Sequence, residues 1–348
     1  MFVEENKVAH DYESTLFEGL VPKFRYDGKF SREAWKKRMY QRLWDLLGLD
    51  SFKRVADSKF EYVKEFEING VAVQEFAFES EDGYVVPGYI ARPIGAGDKK
   101  LPVCLCLQGH SSGMHNSLSM EPDYTPKTGD DLKEIVEKDR AFMLRAVQEG
   151  YAAVCIEQRY MGRRGTYKEK PGCSSLFSMP ALLIGRCAIG ERVWDTMRLI
   201  DELEKIDSLD TANLVCMGNS GGGTATFYVS CIDERIKYSM PSCAFCTYKD
   251  SIVDIRHCAC NYIPGIALDF DMGDLAGLIA GRSLVIVNGI NDKIFPDFGV
   301  RKAYAEAEKA FEDLGGNIAL ITGDGGHRFY ADMAWPKLHE FERKNGVR

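Results

Sequence analysis

Leu214-Val215-Cys216-Met217-Gly218-Asn219-Ser220-Gly221-Gly222-Gly223 is the stretch on which the reading of this chain turns. An apolar run ends in Gly-Asn-Ser-Gly-Gly, and a helix-compatible segment, Thr224 to Cys231, follows it. Gly218, Ser220 and Gly222 fit G-x-S-x-G, in which a serine sits on a tight strand-to-helix turn that pushes its hydroxyl clear of the sheet. Glycines are required because strand and helix backbones pass too close to admit a Cβ. The helix N-terminus adds backbone N–H groups and the positive end of a dipole, which suit a developing oxyanion.

Working outward, the segments on both sides alternate between strand and helix. Leu101 to Leu107 and Tyr151 to Ile156 are near-continuous apolar runs, as expected of strands covered on both faces. Asp130 to Glu149 reads as one helix, Glu191 to Ile206 as a second, Val300 to Leu314 as a third and Met333 to Glu342 as a last. Ile236 to Met240, Leu284 to Val287 and Ile318 to Ile321 read as further strands. Strands separated by helix-sized segments imply right-handed crossovers and a mostly parallel central sheet flanked by helices, an α/β fold. Ahead of this, Phe60 to Ile68, Val71 to Glu79 and Tyr84 to Arg92 form an antiparallel meander, punctuated by Asn69-Gly70 and Asp82-Gly83. Residues 1–55 read as an N-terminal helical extension to the domain at 56–348. Trp35, Met39, Leu43, Leu46 and Leu47 share one helical face, with Gly48 as the stop. Two segments break the rhythm, at about 160–186 and 241–280. Both follow strands, and ligands bind beyond the carboxyl ends of strands, so they read as insertions over the site.

A serine hydroxyl is a poor nucleophile without a base to take its proton and an acid to orient that base. For an elbow of this kind the chain order is serine, acid, histidine. Of six histidines, only His257, His327 and His339 lie beyond Ser220. His257 precedes the strand that should carry the acid, and His339 falls in a terminal amphipathic helix. His327 lies in Gly323-Asp324-Gly325-Gly326-His327, a glycine-rich loop after the last strand. The acid should follow Leu284-Val285-Ile286-Val287, which selects Asp292, with Asp297 and Asp324 as rivals. The loop Gln108-Gly109-His110 supplies the second oxyanion donor beside Gly221: Gly109 allows close approach, and the His110 N–H donates. Arg159 and Gln108 are candidates for contact with substrate. Asp195 and Arg198 are spaced as a surface ion pair.

Taken together, Gln108-Gly109-His110, Gly218-Asn219-Ser220-Gly221-Gly222, Asn288-Gly289-Ile290-Asn291-Asp292 and Gly325-Gly326-His327 resemble the α/β-hydrolase superfamily over about residue 58 to the C-terminus. Leu183-Ile184-Gly185-Arg186, Gly190-Glu191-Arg192-Val193-Trp194-Asp195 and Arg256-His257-Cys258-Ala259-Cys260-Asn261 are similar to segments of its acetyl xylan esterase and dienelactone hydrolase-like branch. Asn219, and Ala280-Gly281-Arg282-Ser283 before the acid strand, depart from the common pattern of that branch. The resemblance implies a serine carboxylic-ester hydrolase acting through an acyl-enzyme, without a cofactor, on small-molecule esters or acylated carbohydrates. A serine peptidase or acyl-peptide hydrolase, and a non-catalytic binding protein of the same fold, are the alternatives.

Composition sets the outer bounds. The chain has 348 residues, a formal net charge of −8 and no basic stripe, which excludes nucleic acid as a partner. No apolar run is long enough to span a bilayer, and the first residues lack a signal-like apolar segment, so no membrane partner and a cytoplasmic location are expected. A homo-oligomer is left open. Eleven cysteines, several within apolar runs, read as buried hydrophobes rather than disulfides. Cys243-x-x-Cys246 with His257, Cys258 and Cys260 suggests zinc only superficially. Cys258-Ala259-Cys260 is too tight for the usual C-x₂-C pair, so no metal is expected and packing or a pocket lining is the reading.

Overall fold

The computed structural model describes residues 9–28, 31–97, 99–165 and 178–348. Among these residues nine strands form one sheet, in the order β1-β2-β3-β5-β4-β6-β7-β8-β9. β1 (Phe60–Ile68), β2 (Val71–Glu81) and β3 (Tyr84–Pro93) make the antiparallel meander, and β3 also runs antiparallel to β5 (Ala152–Ile156). The strands β4 (Leu101–Leu107), β5, β6 (Leu209–Asn219), β7 (Ile236–Ser242), β8 (Ser283–Gly289) and β9 (Asn317–Gly323) are mutually parallel. The chain steps from β4 outward to β5, then crosses back to β6 on the other side of β4. The carboxyl ends of β4 and β6 therefore diverge at a topological switch point, where parallel sheets open a crevice.

Two apolar layers sandwich the sheet. One face carries α2 (Arg32–Leu46), α6 (Ala188–Leu203), α7 (Gly221–Ile232) and α10 (Asp297–Leu314), packed through Met39, Leu43, Val193, Leu199, Phe227 and Val300. The other face carries α4 (Phe142–Gln148) and α11 (Ala331–Lys344), through Met143, Trp335 and Leu338. The stripe read from the sequence of α2 places Trp35, Met39, Leu43 and Leu47 in the main core, with Leu46 at its edge. Gly48 ends that segment in the left-handed conformation, with φ 70°. The short helix α1 (Ala9–Leu16) precedes α2.

One expected helix is two. The run 130–149 breaks into α3 (Gly129–Glu137) and α4, because Asp139 takes φ 49°. Its carboxylate is held in that turn by Arg328, at 2.5 Å, and by the Ala331 N–H. The other elements lie where expected, most of them longer by a few residues; β6 begins at Leu209 rather than Leu214. The segment 160–186 lies partly outside the described residues, at 166–177. Its described part holds α5 (Met179–Leu182) and is pinned to the antiparallel end of the sheet by Arg163–Glu75 and Arg186–Glu81 ion pairs. The segment 241–280 holds α8 (Ile266–Asp269), α9 (Met272–Leu275) and short irregular turns. Among the described residues no helix is long and apolar enough to cross a membrane.

Candidate active site

The elbow follows from the crowding between β4, β6 and α7. A Cβ on Gly222 would overlap the Leu107 carbonyl, and one on Gly218 would sit 2.5 Å from the carbonyl oxygens of Gly222 and Leu107. Between those glycines Ser220 adopts φ 57°, ψ −124°, a conformation a side-chain-bearing residue takes only under compulsion, at about 1–3 kcal/mol. Compensation comes from the Ser220 N–H, which donates to the Ser242 carbonyl on β7 at 2.9 Å, and from its carbonyl, which accepts the Thr224 N–H at 2.8 Å. The second bond starts α7, so the N–H groups of Gly221, Gly222 and Gly223 have no partner one turn back.

Asp292 and His327 meet. Asp292 Oδ2 lies 2.8 Å from His327 Nδ1, while Oδ1 accepts the N–H groups of Ile294 at 2.8 Å and Phe295 at 3.1 Å. Burial pushes the Asp292 carboxyl up, but the His327 hydrogen bond, the imidazole charge and the two backbone N–H groups outweigh it, and the pKa lies below the ordinary carboxylate value. The ring of Phe295 stacks on His327. Asp297 begins α10 and its carboxylate pairs with Arg301 at 2.6 Å, while the backbone carbonyl of Asp324 accepts from Asn291 at 3.0 Å; the carboxylate bonded to His327 is that of Asp292. His339 sits on α11 between Glu149 and Glu342.

Ser220 and His327 line one cleft of about 270 Å³, together with Gly109, His110, Asn116 and Arg140. Gly109 is required by proximity: a Cβ there would lie 2.6 Å from the Asn219 carbonyl and 3.2 Å from Ser220 Cβ. The His110 ring packs on Gly221, whose own Cβ would meet that ring at 2.9 Å. Asn219 also borders the cleft, and its Oδ1 accepts from Ser242 Oγ at 2.8 Å.

Two sequence expectations are corrected. Arg159 is not in the cleft. Only 5% exposed, it is bound by Asp195 at 2.9 Å, Glu81 at 2.5 Å and Glu191 at 3.5 Å. The reason is that α6 is buried nearly all round, so Asp195 faces inward to Arg159 and Arg164 instead of pairing with Arg198, which turns to Asp201. Gln108 borders the cleft, but its side-chain amide is engaged by Glu157 and Cys155.

Glu157, at the end of β5, is a participant whose role the sequence did not reveal. It is fully buried under the loop after β4. One oxygen accepts from Gln108 Nε2 at 2.7 Å and the Met114 N–H at 3.1 Å, and the other accepts the Arg163 N–H at 3.2 Å. Burial pushes its carboxyl up to about 7, against those backbone N–H groups, which pull it down. Gln158 Nε2 donates to the Gln108 carbonyl, fixing the same loop from the other side. Asn116, Arg140 and Ile294 also reach the cleft, and no local pattern in the sequence marks them.

Comparison with known proteins bears on the fold. No protein-family model matches the chain. YtaP of Bacillus subtilis (strain 168), provisionally named as a hydrolase, is 25% identical over 170 residues, or 48% of this chain. The chain spans only about half of that protein, 55% of its length. A protein from Bacteroides fragilis NCTC 9343, provisionally named as an acetyl xylan esterase, superposes with a TM-score of 0.71 at 17% identity, over 92% of this chain and 83% of its own. A glucuronoyl esterase from Solibacter usitatus superposes with a TM-score of 0.64 at 14% identity, over 93% and 97%. The large, mostly parallel sheet with helices on both faces, shared with these structures over almost the whole chain, is the α/β-hydrolase fold.

Proposed function

We propose that the protein is a serine carboxylic-ester hydrolase that acts through an acyl-enzyme and removes small acyl groups from carbohydrate or small-molecule alcohols. The observation that carries this reading is the 2.8 Å Asp292–His327 bond beside an elbow serine that opens on the same cleft as the imidazole. Ser220 Oγ attacks the ester carbonyl, and His327 takes the hydroxyl proton. Asp292, its carboxylate stabilised by two backbone N–H groups, holds the ring in one tautomer and balances the imidazolium. The carbonyl oxygen becomes an oxyanion bound by the N–H groups of Gly221 and His110, with Gly109 allowing the approach. The proton on His327 passes to the leaving alcohol as the C–O bond breaks. Water then attacks the acyl-serine and gives a proton to His327, which passes it to Ser220 Oγ as the acyl C–O bond breaks and the acid leaves.

A cleft of about 270 Å³ is at the small end of ligand sites and favours acetyl-sized acyl groups. The polar Asn116 and Arg140 at its wall suit a hydroxylated alcohol. Likeness to proteins named as acetyl xylan and glucuronoyl esterases supports the substrate class. A cytoplasmic location is part of the proposal: none of the described cysteines is in a disulfide, and disulfides are rare where thiols are kept reduced.

The test is hydrolysis of p-nitrophenyl acetate and a panel of acyl esters that includes acetylated sugars. Turnover is expected to vanish in Ser220→Ala and His327→Ala. Asp292→Asn is expected to lower kcat by about four orders of magnitude with the fold intact, because the imidazole is then held in the wrong tautomer. Activity that survives Ser220→Ala would refute the mechanism.

A further inference from the structure

Two thiols and an imidazole converge beside the oxyanion loop. His110 comes from the loop after β4, and Cys258 and Cys260 come from the segment after β7. One ring nitrogen and both sulfurs lie within 4.8 Å of one another. Cys260 Sγ is 3.3 Å from His110 Nε2, across 150 residues of sequence. Around a tetrahedral zinc, with Zn–N near 2.05 Å and Zn–S near 2.3 Å, ligand atoms stand about 3.6 Å (N to S) and about 3.8 Å (S to S) apart. The Cys260–His110 pair is thus almost at ligand spacing already, and Cys258 Sγ lies within 4.8 Å of both donors. Cys260 is buried and Cys258 half-buried, and neither is in a disulfide. The tight Cys258-Ala259-Cys260 spacing argued against zinc only while the third donor was sought nearby in sequence; the fold brings it from the opposite wall.

The geometry points to a site for a thiophilic divalent cation, zinc foremost, held by His110 Nε2, Cys258 Sγ and Cys260 Sγ. Each thiol gives up its proton to solvent as its sulfur binds, and the imidazole binds neutral, so two protons are released per ion. Three protein donors leave the fourth tetrahedral position to water, and the role assigned to the ion is that of a brace. It ties the oxyanion loop to the segment after β7. Because the His110 ring packs on Gly221, the brace extends to the residue beside the nucleophile. This site does not rest on the proposed ester hydrolysis. A second group, Cys243, Asp292 and His327, also lies within ligand distance. There the carboxylate and imidazole are already bonded to each other, and Cys243 Sγ lies 3.2 Å from the Arg328 carbonyl.

The test uses the full chain, reduced and freed of metal by a chelator, and titrated with Co²⁺ and then Zn²⁺. One equivalent of Co²⁺ is expected to give a thiolate-to-cobalt charge-transfer absorption that Zn²⁺ displaces, and Zn²⁺ is expected to raise Tm by a few degrees. Cys258→Ser and Cys260→Ser should each abolish the absorption or weaken binding by at least about a hundredfold, since loss of a mere supporting partner costs about 10–100-fold. Ser220→Ala and Cys243→Ser should keep it, and circular dichroism should show every variant folded. A folded protein without the absorption overturns the site. So does an absorption that survives both cysteine substitutions, or one that is lost with Cys243→Ser.

Discussion

Single buried polar residues set how this molecule responds to pH. His115, in the turn after the oxyanion loop, is 5% exposed, and its Nε2 lies 3.2 Å from Ser112 Oγ. Burial first, and then the Lys127 cation, lower its pKa from the ordinary 6.5 to about 4. The unfolded chain therefore takes up a proton between about pH 6.5 and 4 that the folded chain refuses, and stability is lost as pH falls through that window. Complete loss corresponds to about 3 kcal/mol, from 1.36 kcal/mol per pKa unit. Between pH 7 and pH 4 the denaturant midpoint of the parent is expected to lose ground against that of His115→Gln, since raised carboxyls such as Glu157 act the other way in both proteins. None of this is legible in the sequence, where His115 is one more polar residue in a loop. Ser220, Asp292 and His327 are a different matter. Each is marked by its position at the end of an apolar run, and their order along the chain narrows the choice further. Arg159 was misread because burial, not residue type, determines what a guanidinium meets.

At the scale of elements, the elbow is governed by backbone clearance. Gly222→Ala would drive a methyl group into the Leu107 carbonyl on β4, a central strand with parallel neighbours on both sides and no room to retreat. Overpacking of this kind costs about 1–3 kcal/mol or more. Tm and esterase turnover are both expected to fall. Gly326→Ala is the contrast: its Cβ would meet only the Asn291 carbonyl, at 3.6 Å, and Tm should hold within about a degree on the usual cost of an ordinary surface change. Elements with a strong local signature, such as the apolar runs of β4, β5 and β8, were readable from sequence. The break between α3 and α4 was not, because Lys138-Asp139-Arg140 is compatible with a helix. What ends it is Arg328 and Ala331, nearly 200 residues away, binding the Asp139 carboxylate.

On the scale of the whole molecule, the N-terminal helix α2 is part of the main core. Trp35 is 4% exposed, donates its ring N–H to the Phe24 carbonyl at 3.2 Å and fills the space above Gly277. Trp35→Ala should cost about 3–5 kcal/mol, read as a lowered urea midpoint in a single cooperative transition. A separate early transition for residues 32–52 would show instead that α2 melts on its own. The same scale governs Glu157. One carboxylate receives the loop after β4 at two points, Gln108 and Met114, and the turn at Arg163. Two stretches far apart in the chain therefore share a single joint, and their positions form one variable rather than two. With the Glu157 carboxyl held near 7, the joint is an anion gripping N–H groups above neutrality and a weaker, neutral acceptor below it. The tightness of the oxyanion loop is thus adjustable by a proton that never enters the reaction.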